Sequence, residues 1–166
     1  MRSSLTPVAA GVLLALAGTA QGATKSSTFQ VTATVSKNCV MTAPSLALGS
    51  FDGTNDLAAS STITVNCTNA TAFAVDLDRG SSGSYAMRTM RNGTDVLNYN
   101  PYTTGTYATV WGDNTGGTGH GSGTGAGMTA AQAVTLTVFG RLRAADNTGT
   151  FGAGNYSDTI TATITY

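Results

Sequence analysis

The chain has 166 residues, a formal net charge of zero and 10% charged residues, against roughly 25% in ordinary soluble domains. Its cations, Arg2, Lys25, Lys37, Arg79, Arg88, Arg91, Arg141 and Arg143, are scattered. No basic run or stripe exists to hold nucleic acid. Thirty threonines and 21 glycines stand against two lysines, and with little helical periodicity this is an all-β composition.

In chain order, the first element is an export signal. Arg2 is followed by the apolar run Val8–Ala17 and by the small residues Gly18-Thr19-Ala20. The run is far short of the ~20 residues that span a bilayer, so residues 1–20 read as a cleaved secretory signal, with cleavage as late as position 23 as an alternative. Next comes an alternating stretch, Thr28–Ser36, with Phe29, Val31, Ala33 and Val35 on one face. Cys39 and Cys67 are the two cysteines. Export places them in an oxidising compartment, where an even pair bridges. A closed loop of about 29 residues contributes roughly 3.5 kcal/mol in the chain-entropy picture. A metal site is the alternative, but the single histidine, His120, lies far along the chain.

Further alternating runs follow. Ile63, Val65 and Cys67 share a face of Ser61–Cys67, Phe73, Val75 and Leu77 a face of Ala72–Asp78, and Val134, Leu136 and Val138 a face of Val134–Phe139. Turn signals separate them at Asp52-Gly53, Asn92-Gly93, Asn147-Thr148-Gly149 and Gly152-Ala153-Gly154. Short strands with frequent turns predict an antiparallel sandwich. Gly112–Gly127 holds eight glycines and reads as a flexible surface loop with His120 solvated in it. The last predicted strand, Tyr156–Tyr166, puts Ile160, Ala162, Ile164 and Tyr166 on one face and threonines on the other. With no further strand after it, the sandwich is expected to lack a closing strand of its own.

No catalytic constellation emerges. A Ser-His-Asp arrangement needs its histidine on a rigid support, and glycoside hydrolysis needs paired inward carboxylates. Asp76 and Asp78 fall on the face opposite Phe73, Val75 and Leu77, where solvent gives their pKa values little reason to move. Trp111 reads as a packing anchor rather than a sugar platform. The chain reads as a non-enzyme with no cofactor and no metal.

A set of motifs carries a resemblance. Val35-Ser36-Lys37-Asn38-Cys39 is followed by Ile63-Thr64-Val65-Asn66-Cys67, Leu97-Asn98-Tyr99-Asn100-Pro101-Tyr102, Val110-Trp111-Gly112-Asp113, Val138-Phe139-Gly140-Arg141 and Gly154-Asn155-Tyr156-Ser157-Asp158-Thr159-Ile160. In order and spacing, over essentially the whole mature chain, these resemble the spore coat U domain family, which includes pilin subunits of archaic (Csu-type) chaperone–usher pili. The resemblance implies an incomplete immunoglobulin-like β-sandwich completed by a strand from a neighbouring subunit. It also implies a disulfide from the first strand region to the second, which fits Cys39 and Cys67.

The implied partners are a periplasmic chaperone, an outer-membrane usher, and identical or related subunits joined head to tail. The implied location is an extracellular pilus reached through the periplasm, serving adhesion and biofilm formation. Residues 21–36 then form an N-terminal extension and 37–166 the pilin domain. Phe29, Val31, Ala33 and Val35 are the inserted residues, and Ile160, Ala162, Ile164 and Tyr166 line one margin of the acceptor groove. Two alternatives stand beside the pilus shaft. One is a spore or cyst coat protein of the same fold. The other is a tip adhesin or adaptor, whose signal would be exposed apolar residues on the Tyr99–Tyr107 and Trp111 loops. Thr28–Ser36 has its own alternative, as the first strand of its own domain.

Overall fold

The computed structural model describes residues 21–166, so the expected signal lies outside the described residues. The chain divides into a segment ending at Thr34 and a compact unit, Val35–Tyr166. Residues 21–38 belong to no strand, and each of them is exposed.

The compact unit is built from β1 (Cys39–Thr42), β2 (Leu57–Cys67), β3 (Ala72–Leu77), β4 (Arg88–Asn92), β5 (Asp95–Tyr102), β6 (Gly121–Thr124), β7 (Val134–Leu142) and β8 (Ala162–Thr165). Among the described residues there is no α-helix, only short 3₁₀ turns. One sheet has the order β1-β2-β7-β5-β4 and the other β6-β3-β8. Every pairing between strands is antiparallel.

The period-two alternation dictates the packing. Ile63, Val65 and Cys67 of β2 and Phe73, Val75 and Leu77 of β3 are all buried, and with Val138 and Trp111 they form the larger core. Burying each large apolar side chain contributes about 1.5–3 kcal/mol. Leu97, Tyr99 and Leu142 form a smaller core, against which Leu48, Met90 and Tyr156 pack. Strands β2 and β7 run together from Leu57↔Leu142 to Val65↔Val134, the longest ladder of the fold. Cys39 and Cys67 are disulfide-bonded, as the sequence predicts, and face each other in the β1–β2 register. The β4–β5 hairpin turns through Gly93 and Thr94, with Gly93 at φ +59°. That is the left-handed conformation expected at the first central position of a II′ turn.

Three expectations about strands and loops need correction. First, the glycine tract is not simply a flexible loop. It contains β6, paired with β3 from Ala72↔Thr124 to Val75↔Gly121. Its glycines face aromatic rings. A Cβ on Gly121 would run into the Trp111 ring, and one on Gly123 would lie 2.7 Å from Phe73 Cζ. Glycine is there so that a strand can lie directly on the core. Second, His120 is not free in solvent, because its Nδ1 lies 3.0 Å from Asp76 Oδ1 and the side chain is only 30% exposed. Third, the final strand is shorter than its alternation. Regular pairing covers only Ala162–Thr165, because the preceding residues travel between the two sheets.

Candidate functional site: an open groove between the sheets

One margin of the site is the continuation of β1. Pro44 has no N–H to give to a ladder, and the chain leaves the sheet there. Residues 43–49 belong to no strand. Within them Leu46 and Leu48 are half-buried, while Ser45 and Ala47 are exposed. Leu46 packs on the larger core and Leu48 on the smaller. Gly140 of β7 makes this approach possible, since a Cβ there would lie 2.5 Å from Leu46 Cδ2 and 2.9 Å from Leu48 Cδ2. The Pro44 carbonyl accepts a hydrogen bond from Ser61 Oγ (3.2 Å).

The opposite margin is 157–162. Ser157 and Arg91 of β4 exchange both backbone hydrogen bonds, at 2.9 and 3.1 Å. The chain then crosses to the other sheet. There Asp78 N–H donates to the Thr161 carbonyl (3.0 Å), and Thr161 N–H donates to Asp78 Oδ1 (3.0 Å). Gly80 N–H also donates to Asp78 Oδ1 (3.0 Å). Burial works to raise the Asp78 carboxyl, but the Thr161 and Gly80 N–H groups outweigh it and hold the group below its ordinary value. The expectation that its pKa has little reason to move is therefore corrected. Beyond this crossing β8 pairs with β3 along one edge. Among the described residues, its other edge pairs with no strand.

Between the margins lies a groove of about 720 Å³. Ile63, Leu77 and Val138 floor one part of it, and Met90, Tyr99 and Pro101 another, so it crosses both cores. Asp158 also lines it. Tyr99 OH donates to Asp158 Oδ2 (2.8 Å). Burial, aided by that carboxylate, pushes the Tyr99 phenol well above its usual value, so it remains a neutral donor. Asp158 Oδ1 in turn accepts from Ser81 N–H (3.0 Å) and Thr159 N–H (2.9 Å). The margin is therefore pinned by polar contacts, while Ile160 and Ala162 bring apolar side chains to the groove. Such a groove, beside the unpaired edge of β8, presents both apolar surface and free backbone groups.

Ile160 and Ala162 line the groove. Ile164 is half-buried against the larger core, and Tyr166 is 50% exposed. Phe29, Val31 and Val35 are 87%, 81% and 84% exposed, and Ala33 is exposed as well. Leu46 and Leu48 are site residues that the sequence reading missed. Their two-residue spacing was the only signal, and it is confined between Pro44 and Gly49. Trp111 is buried, with Nε1 donating to the Val75 carbonyl (2.8 Å), and so is a packing anchor. Among the described residues, no group of three or more His, Cys, Asp or Glu side chains is placed to hold a metal ion.

Two antiparallel sheets around a shared core, with an open groove between the continuation of the first strand and the last, define an incomplete immunoglobulin-like β-sandwich. The chain belongs to the Spore Coat Protein U domain family, whose model matches residues 25–163. It is similar in structure to a chain in the crystal structure of the CsuC–CsuE chaperone–tip adhesion subunit pre-assembly complex, from the archaic chaperone–usher Csu pili of Acinetobacter baumannii. The TM-score is 0.56 at 22% identity, over 80% of this chain and 40% of that one. This likeness speaks for the fold, and the chain spans less than half of its structural relative. Among curated proteins none matches significantly.

Proposed function

We propose that this protein is a structural subunit of an extracellular pilus, polymerised by donation of a strand from one copy into the groove of the next. In this reading residues 1–20 are removed on export, 21–36 are the donor extension and 37–166 carry the groove. The observation that supports it most is the groove itself, an apolar trough beside the unpaired edge of β8. The donor is the alternating Phe29, Val31, Ala33 and Val35, whose large members stand more than 80% exposed. An extended segment added at a sheet edge gains main-chain hydrogen bonds, while alternate side chains fill the trough. Phe29, Val31 and Val35 contribute roughly 1.5–3 kcal/mol each, and each ladder bond about 0.5–1.5 kcal/mol. Head-to-tail donation does not close on itself and so generates a fibre.

A periplasmic chaperone that fills the groove before assembly and an outer-membrane usher complete the pathway. Adhesion and biofilm formation are the roles that such a surface fibre serves. The shaft role is favoured over a tip adhesin because the loop aromatics are not displayed. Tyr99 and Trp111 are 7% and 2% exposed, and Tyr102 and Tyr107 are half-buried. The test is electron microscopy of secreted protein with and without residues Thr24–Val35. Fibres from the intact chain and none from the deletion are expected. Undiminished fibres from the deletion would refute the proposal.

A further inference from the structure

Building on the donor-strand reading, we propose that the Cys39–Cys67 disulfide keeps tension entering a subunit through its own extension off the groove margin 43–49. Pulling on a subunit's own extension then does not open the groove that holds its neighbour.

Tension reaches a subunit through Ser36–Lys37 and meets the fold at Asn38–Cys39. There the Asn38 carbonyl accepts from Thr68 N–H (2.9 Å) and Asn38 N–H donates to Thr68 Oγ1 (3.2 Å). The next covalent stretch is β1, an edge strand of four residues. Directly after it comes the groove margin 43–49, which belongs to no strand. Without the bridge, the load would run through β1 into that margin. Peeling β1 would then draw Leu46 and Leu48 off the cores and release the neighbour's strand. The donor joint and the acceptor joint of one subunit would fail together.

The bridge moves the load elsewhere. Cys39 is the first residue of β1, and its partner Cys67 is fully buried at the end of β2. Strand β2 is held on one side by β1 and on the other by the long β7 ladder. Beyond Cys67 the chain leads to β3, the central strand of the other sheet. The margin 43–49 lies wholly inside the covalent loop closed by the disulfide and so is bypassed. A disulfide acting only through loop entropy would raise resting stability whatever the load. The topology here adds a directional role.

Fibres of the mature chain would be assembled oxidised and then reduced, with thiol alkylation followed by mass spectrometry to establish complete reduction. A Cys39→Ala/Cys67→Ala variant provides a second route to fibres without the bridge. Fibres with and without the bridge would be compared at rest and under extensional flow. Similar lengths at rest, but breakage about tenfold faster under flow without the bridge, is expected, since forced rupture follows the unfolding rate. Equal breakage under flow, or equal weakening at rest and under flow, would overturn this role and leave strand donation intact. Absence of fibres from the oxidised chain would overturn strand donation itself.

Discussion

Arg88 is fully buried and ties the two sheets together. Its guanidinium donates to the carbonyls of Leu77, Asp78 and Trp111 and to Asn100 Oδ1, and it lies 5.2 Å from the Tyr85 ring centroid. Burial pulls it below its usual pKa, while nearby phenols and carboxylates oppose that. Replacing Arg88 by Met strands several buried acceptors, each costing about 1–3 kcal/mol. We expect urea unfolding of Arg88→Met to show a loss of at least ~3 kcal/mol. Gly121→Ala drives a Cβ into Trp111, and overpacking of this kind costs about 1–3 kcal/mol, visible in the same assay. Asp78 sets an acid limit. Its pKa is depressed in the fold, so its stabilisation is present above the unfolded carboxylate value of about 3.9 and is lost as pH falls through the folded value. Urea midpoints should hold from neutrality to about pH 5 and fall below that. Asp78→Asn should be weaker at neutral pH and show a smaller acid loss. None of these roles was legible in the sequence. A lone arginine or aspartate reads as solvated; the crossing at Thr161 brings Asp78 a distant donor, and Arg88 meets Leu77, Asp78 and Trp111 only where the strands converge.

At the level of elements, legibility followed side-chain contrast. Strands β2, β3 and β7 alternate large apolar with polar residues, and their buried faces are those the sequence assigned. Strand β6, Gly-Ser-Gly-Thr, has no such contrast. Its inward positions carry no side chain because the Trp111 ring and that of Phe73, the cross-strand partner of Gly123, fill the space. Residues 43–49 form a margin rather than a strand, so no strand pattern could mark them. The Ile160–Ala162 face was legible, but its crossing between sheets was not, because that depends on Ser157 pairing with Arg91. The donor extension yields a prediction at this scale. Phe29→Asp and Val31→Asp place a charge where an apolar trough must receive it, at a cost of several kcal/mol. Fibre yield by sedimentation should collapse, while the thermal unfolding midpoint of the unpolymerised subunit stays within about 2 °C of the parent, because both positions are exposed there.

For the whole molecule, the account joins the two ends of the chain. The extension leaves the fold beside the disulfide, and the last strand begins beside the groove. In the proposed function, one copy offers what the next one lacks. The most direct measurement is amide hydrogen exchange on the mature Phe29→Asp chain, whose own extension is disabled, with and without a peptide spanning Thr24–Lys37. The account predicts that added peptide slows exchange at least about tenfold in 157–162 and along the outer edge of β8. It also predicts that a Phe29→Asp peptide does nothing. Unchanged exchange at these positions, or protection confined to the β1 or β6 edge, would contradict it.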